Sequence, residues 1–372
     1  MKKTCSVLLA FFLFAVCLFP LHSTASRQIT ESGAITSAYT IDTPYAFPIT
    51  PADPEWRDFD TKQEMDKACQ IPEQILTRLT TRALLETVLS QPFVSDYVCF
   101  NTYEDAAKNF YNTFNGFREL LSREDLTPAL LAAYNDSTVL RGEEDEKNIN
   151  YRYLKAYYRV SDLEFIIAYD KIVNGDYSPE EENAFQTIHE EKMTARENMG
   201  TYSPSSETYL AFMSEENRLS VQDTGHTIYT PKGSPVSVIR RSGELTAAQK
   251  ITINEQMATM HPKATRVAEP TLKYNCHSYA WYQQSTSNPY WMNNPSAYMN
   301  DGSYVVASGI RPRVGFKVYY YNGDHSAVVS SIKVVNGVQT FYYKSKWGRA
   351  GVYEHTIYDA PYETGIRHYY KA

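Results

Sequence analysis

The sequence predicts an α+β fold, with a helical bundle first and a helix followed by an antiparallel sheet after it. Two features predict this class. From about Thr61 to Ser220 the apolar residues recur at helical spacing, and from about residue 222 they fall into short alternating runs broken by turn signals. A chain of 372 residues has room for about two domains, each with a core of its own.

Residues 1–25 read as an export signal. Lys2 and Lys3 precede an apolar run, Ser6 to Leu21, that is too short for a permanent span. Ser23-Thr24-Ala25 places small residues where a signal peptidase cuts, so cleavage is expected after Ala25 and the mature protein is expected to be secreted or cell-surface. Residues 26–60 are rich in Ser, Thr and Pro without periodicity and are expected to form an extended linker. The helical domain is placed at 61–221. Pro72 opens a stretch with Ile75, Leu76 and Leu79 on one side, and Thr80 or Thr81 caps the next, which stops before Pro92. Phe110, Phe114, Phe117 and Leu121 read as one helical stripe. Ile149 to Val173 is a long helix ended by Asn174-Gly175. Ser178-Pro179-Glu180-Glu181 starts another, because a cap oxygen, a proline and two acids suit the unpaired N–H groups and the positive dipole end. Gly200 closes it. His189-Glu190-Glu191 is not a zinc helix, since Met193 stands where the second histidine is needed.

The second domain is placed at 222–372. Thr227–Tyr229 and Val236–Ile239 read as strands around Pro231-Lys232-Gly233, and Leu245 to Met260 as a helix capped near Ser242. After a further helix come four short strands, at Val314–Tyr321, Ser326–Val334, Val338–Lys346 and Gly351–Tyr358. Asn336-Gly337 between two of them is a strong hairpin signal.

Composition narrows the function. The chain carries 36 Lys+Arg against 43 Asp+Glu, a net charge of −7, which disfavours nucleic acid as a partner because phosphate binding needs a positive face. Charged residues at 21% and a mean hydropathy of −0.45 exclude a polytopic membrane protein. No integral span is expected after signal cleavage. Of five cysteines, Cys5 and Cys17 leave with the signal, and the remaining Cys69, Cys99 and Cys276 are odd in number. Cys69 and Cys99 are a candidate disulfide in an export compartment, the other reading being two buried thiols. Cys276 is then the unpaired thiol.

The segment Tyr274-Asn275-Cys276-His277-Ser278-Tyr279-Ala280-Trp281-Tyr282 places that cysteine where a helix is expected to begin. A helix N-terminus favours the thiolate, and its free N–H groups suit an acyl-transfer oxyanion; the Cys276 N–H is expected to serve, with Asn275 or Tyr274. Gly323-Asp324-His325-Ser326-Ala327-Val328-Val329 then places a histidine at the start of a strand, the arrangement of a Cys–His nucleophile pair. A two-residue turn at Asn336-Gly337 puts Lys344 and Lys346 on the His325 face, whereas a one-residue bulge brings Ser345 there instead. Ser345 is the preferred orienter of the imidazole, since a cation beside the base opposes its protonation. His277, about 100° round the helix from Cys276, reads as packing. Zinc held by Cys276, His277, His325 and His355 lacks ligand spacing, and no metal or other cofactor is expected.

A cysteine opening a helix, the lead-in Pro312-Arg313-Val314-Gly315 and the Gly-Asp-His-Ser-Ala-Val-Val run together resemble the papain-like cysteine amidases and peptidases of the CHAP and NlpC type, over roughly residues 270–350. Ser345-Lys346-Trp347-Gly348 also resembles the C-terminal region of secreted bacterial proteins. The resemblance implies cleavage of an amide or peptide bond through a thioester, typically in peptidoglycan peptides, with Cys276 as nucleophile, His325 as base and a polar third residue. It implies a papain-like helix-plus-sheet domain. Trp347 is expected in the cleft. The alternative is a non-catalytic module on a degenerate papain-like scaffold, binding cell wall or protein.

Overall fold

The computed structural model describes residues 40–143, 145–175, 177–199 and 223–372. The expected signal at 1–25, the first part of the expected linker, Gly200 and the end of the expected helical domain lie outside the described residues. No helix among those described is long and apolar enough to cross a membrane.

Local sequence chemistry sets the helices. Thr61 and Glu64 close a capping box at the start of α1, Lys62–Ala68. After α2, Glu73–Leu76, Thr80 caps α3, Thr81–Ser90, by accepting the Ala83 N–H at 3.2 Å. The aromatic stripe is broken rather than continuous. α4, Tyr103–Thr113, and α5, Asn115–Leu121, meet at Phe114, which is extended (φ −128°, ψ 116°) yet fully buried. Gln70 and Asn115 hold the break: Gln70 Oε1 accepts the Asn115 N–H at 3.1 Å, and the Asn115 amide exchanges bonds with the Ile71 backbone. α6 is Leu126–Asp136. α7, Tyr151–Asn174, ends at Gly175, and α8, Pro179–Met199, begins at Ser178, where Ser178 and Glu181 exchange hydrogen bonds.

Residues 40–60 are not a free linker. Phe47 and Trp56 are buried, and the Trp56 indole N–H donates to the Met260 carbonyl. Nor does the expected boundary at 221/222 separate two cores. One continuous core runs from Leu84, Phe117 and Leu163 of the helices to Val318, Ala327, Val329, Tyr343 and Trp347 of the sheet, and the described chain forms one compact unit.

The C-terminal part opens with an antiparallel hairpin, β1 Thr224–Tyr229 and β2 Pro235–Arg240. α9, Ala247–Met260, is capped by Thr246 in a box with Gln249, not by Ser242. The remaining elements are β3 Thr265–Ala268, a π-helical turn Ser278–Tyr282, α10 Ser296–Asn300, β4 Tyr304–Val306, β5 Lys317–Tyr320, β6 Ser326–Val335, β7 Val338–Lys346, β8 Val352–His355 and β9 Ile366–Lys371. The seven strands β3–β9 form an antiparallel sheet in the order β3-β8-β7-β6-β5-β9-β4. One face joins the helical core. The other packs Val328 and Tyr369 against Trp281 of the π turn, Tyr298 of α10 and Val236 and Val238 of β2.

The β6–β7 hairpin turns on Asn336 (φ 51°) and Gly337 (φ 80°), the two left-handed positions that Asn-Gly supplies. Pairing runs from Val335↔Val338 to Ser331↔Tyr342 and then slips by one residue, so that Val329 faces Tyr343. This is the one-residue bulge, and it carries Ser345 to the His325 face.

Helices and sheet are locked together at Gly348 (φ 42°), where a Cβ would stand 2.5 Å from both the Cys99 carbonyl carbon and the Phe100 oxygen. Neither contact is the end of a flexible side chain. Gly348→Ala is expected to lower the unfolding free energy by about 2–3 kcal/mol. A urea midpoint unchanged from wild type would show that this approach is not tight.

Candidate functional site

Cys276 opens the short helical segment, continuing through His277 into the π turn, as its place in the sequence predicts, and the residue before it builds the corner. Asn275 Oδ1 accepts the N–H groups of Ser278 and Met292, each at 3.1 Å, and its Nδ2 donates to the Met292 carbonyl at 2.7 Å and to Asn101 Oδ1 at 3.0 Å. Its side-chain amide is therefore fully used in structure and has no donor left for an oxyanion. The turn is also too short to supply a strong dipole end. Cys276 is completely buried, and burial pushes its thiol up to about 12 against the hydrogen bonds that favour the thiolate. The donor placed on the sulfur is Asn101 Nδ2, at 3.1 Å.

His325 does not meet Cys276. Strand alternation decides this. Ser326 turns its hydroxyl to the π turn, where it bonds His277 Nδ1 at 2.8 Å and receives the Trp281 indole N–H at 2.9 Å. His325 therefore turns to the opposite face. Its ring lies flat on Tyr362, with centroids 3.6 Å apart and planes at 14°, and edge-on to Tyr320 at 4.9 Å. Both ring nitrogens are buried without a hydrogen-bond partner among the described residues. Burial, with His355 and His277 nearby, holds the imidazole well below its ordinary value. The expected hydrogen-bonded Cys–His pair is thus not assembled here.

Ser345 reaches the expected face but serves another histidine. Its hydroxyl bonds His355 Nε2 at 2.7 Å and accepts the Trp347 indole N–H at 3.1 Å, while His355 Nδ1 donates to the Thr356 carbonyl at 2.7 Å. The two sheet faces therefore carry the same Trp–Ser–His chain, Trp281–Ser326–His277 on one and Trp347–Ser345–His355 on the other. Burial pushes His277 and His355 down to about 4 each. Tyr274 and Trp347, expected in a cleft, are both buried in packing. Tyr274 stacks on Tyr279 at 6.2 Å beneath Lys346, and Trp347 is fully buried against Tyr353 at 4.3 Å.

Cys69 and Cys99 are both free and buried, so the candidate disulfide is not formed; Cys99 Sγ lies 3.3 Å from Met257 Sδ. Among the described residues no group of three or more His, Cys, Asp or Glu is placed to hold a metal ion.

Asn101 carried no sequence signal, and Asp324 was read only as part of the run around His325. Asn101, in the loop before α4, reaches Cys276 across 175 positions of sequence. Asp324 accepts the Asn101 amide on its backbone carbonyl at 2.8 Å, and its carboxyl is pushed up to about 8 by burial and by Asp105 and Glu363. Beside the site a groove of about 920 Å³ runs between β2 and the segment from Trp291 to Ala297. Met292, within that segment, is tied to Asn275, the residue preceding Cys276. Compared with protein-family models, curated proteins and solved structures, the chain matches none.

The serine of each Trp–Ser–His chain holds its neighbours, so Ser345→Ala leaves the Trp347 N–H and His355 Nε2 unpaired and is expected to cost about 1–3 kcal/mol of stability. The pH dependence has a definite sign. His355 is neutral when folded, so its contribution is complete above pH 6.5 and is lost as pH falls towards 4, where the unfolded chain takes up the proton first. The stability difference between wild type and His355→Gln should narrow by about 1.4 kcal/mol per pH unit across that window. A difference constant with pH in urea titrations would refute the assignment.

Proposed function

We propose that this protein is an exported cysteine hydrolase of papain-like type that cleaves amide or peptide bonds, with peptidoglycan peptides as its substrate class. The observation that carries this reading is the Asn101 amide set over the sulfur, with Nδ2 donating to Cys276 Sγ at 3.1 Å. A structural thiol in a core needs no such donor, whereas a thiolate or the oxyanion beside it does. The unpartnered His325 nitrogens support it, because a buried imidazole without a partner is a cost that packing alone does not explain.

In the proposed reaction Cys276 Sγ attacks the amide carbonyl and His325 accepts the thiol proton. The tetrahedral intermediate collapses as the C–N bond breaks and His325 returns the proton to the leaving amine. Water, deprotonated by His325, then hydrolyses the thioester and restores the thiol. The groove beside β2 offers room for an extended peptide. In the resting form the two groups are apart, and the reaction requires them to meet.

The second reading, a non-catalytic wall- or protein-binding module, is favoured by the complete burial of a protonated Cys276 thiol. Incubation of the exported protein with purified muropeptides, with products identified by mass, separates the two. Cleavage is expected, and Cys276→Ala and His325→Ala are each expected to reduce it by about 10³-fold or more. Equal turnover by Cys276→Ala overturns the hydrolase reading, and wall binding without a cleaved product supports the module.

A further inference from the structure

Every polar valence of Asn101 is spent on the site. Its Nδ2 donates to Cys276 Sγ at 3.1 Å and to the Asp324 carbonyl at 2.8 Å. Its Oδ1 accepts from Asn275 Nδ2 at 3.0 Å and from the Cys276 thiol at 3.4 Å. Asn275 also fixes which way round the Asn101 amide stands, since only an oxygen can accept its N–H. Asn101 is partly exposed whereas Cys276 is fully buried, so this side chain lies over the sulfur on its solvent side.

The backbone leading to Asn101 is held from the sheet side. The Arg349 N–H donates to the Val98 carbonyl at 2.7 Å, and the Tyr362 hydroxyl donates to the Cys99 carbonyl. Tyr362 is the residue whose ring covers His325. A single hydrogen bond therefore joins what covers the thiol to what covers the imidazole. Neither group can be uncovered by movement of the 98–101 segment without straining the contact over the other.

We infer that Asn101 and Tyr362 form one latch that keeps both halves of the site shut, and that substrate reaches Cys276 when the segment 98–101 withdraws. The inference rests on reading Cys276 and His325 as the reacting groups. The helical part of the chain thus supplies the cover over the thiol, and the C-terminal part supplies both reacting residues and the ring over the imidazole. Withdrawal of Asn101 removes the amide from Sγ and frees the Asp324 carbonyl. The same withdrawal breaks the Tyr362–Cys99 bond and lets the phenol ring leave the imidazole.

The test uses the full exported chain and reads alkylation of each cysteine by iodoacetamide, located by mass spectrometry under native conditions. Cys69, buried away from the segment, reports any general loosening. Cys276 is expected to react slowly in wild type and about tenfold faster in Asn101→Ala. Tyr362→Phe keeps the ring but loses the hydroxyl, and should act similarly. The double variant should react little faster than either single one if the latch is one unit, with Cys69 unchanged throughout. Two outcomes overturn the latch: no acceleration at Cys276 in folded Tyr362→Phe, or equal acceleration at Cys69 and Cys276. Faster alkylation without muropeptide cleavage in any variant keeps the latch and removes the hydrolase. Cleavage by wild type with unaltered alkylation in the variants keeps the hydrolase and removes the latch.

Discussion

Alternation at the start of β6 is the constraint on which the site depends. Adjacent strand residues point to opposite faces, so Ser326 and His325 cannot both reach the π turn. Ser326 takes it, with Trp281 and His277 as partners. His325 is thereby sent into the layer between sheet and helices, among Tyr320, Tyr362 and the covering loop. Cys276 remains on the other side, near the strand end. The two groups share a neighbourhood through the Asp324 backbone, and strand geometry keeps them from bonding.

The electrostatic state of the region follows from its dryness. Burial raises acids and lowers bases, and here it does both: the Cys276 thiol and Asp324 carboxyl go up, and the His325 imidazole and Lys346 amine go down, the last to about 7. Near neutral pH the closed site favours the uncharged form of its thiol, carboxyl and imidazole. Water admitted by an opening would relax each towards its ordinary value.

Much of this architecture was legible in the sequence, and the failures have physical reasons. The Asn336-Gly337 turn, the end of α7 at Gly175 and the start of α8 at Ser178 are local signals and stand where they were expected. The break at Phe114 was not legible, because the stripe spacing is satisfied by two short helices as well as by one and the choice is made by Gln70 and Asn115. The bulge in β6 leaves no trace in composition, yet it decides which of Ser345 and Lys346 shares the His325 face. The cysteine, the histidine and the serine were all found as residues of interest. Their partners were not, since Asn101, Tyr362 and His355 meet them only through the tertiary fold.

The β6 bulge divides the hairpin into two parts with different tolerance to length change. Beyond it, towards Asn336-Gly337, Val334, Val335 and Val338 are exposed. Two-residue insertions or deletions on each arm there would preserve parity and leave the remainder of the sheet as it is. Between the bulge and His325 a single inserted or deleted residue would exchange the faces of β6 and turn His325 off the face it shares with Ser345. Natural length variants of this chain should therefore accumulate at the hairpin tip and be missing from its base.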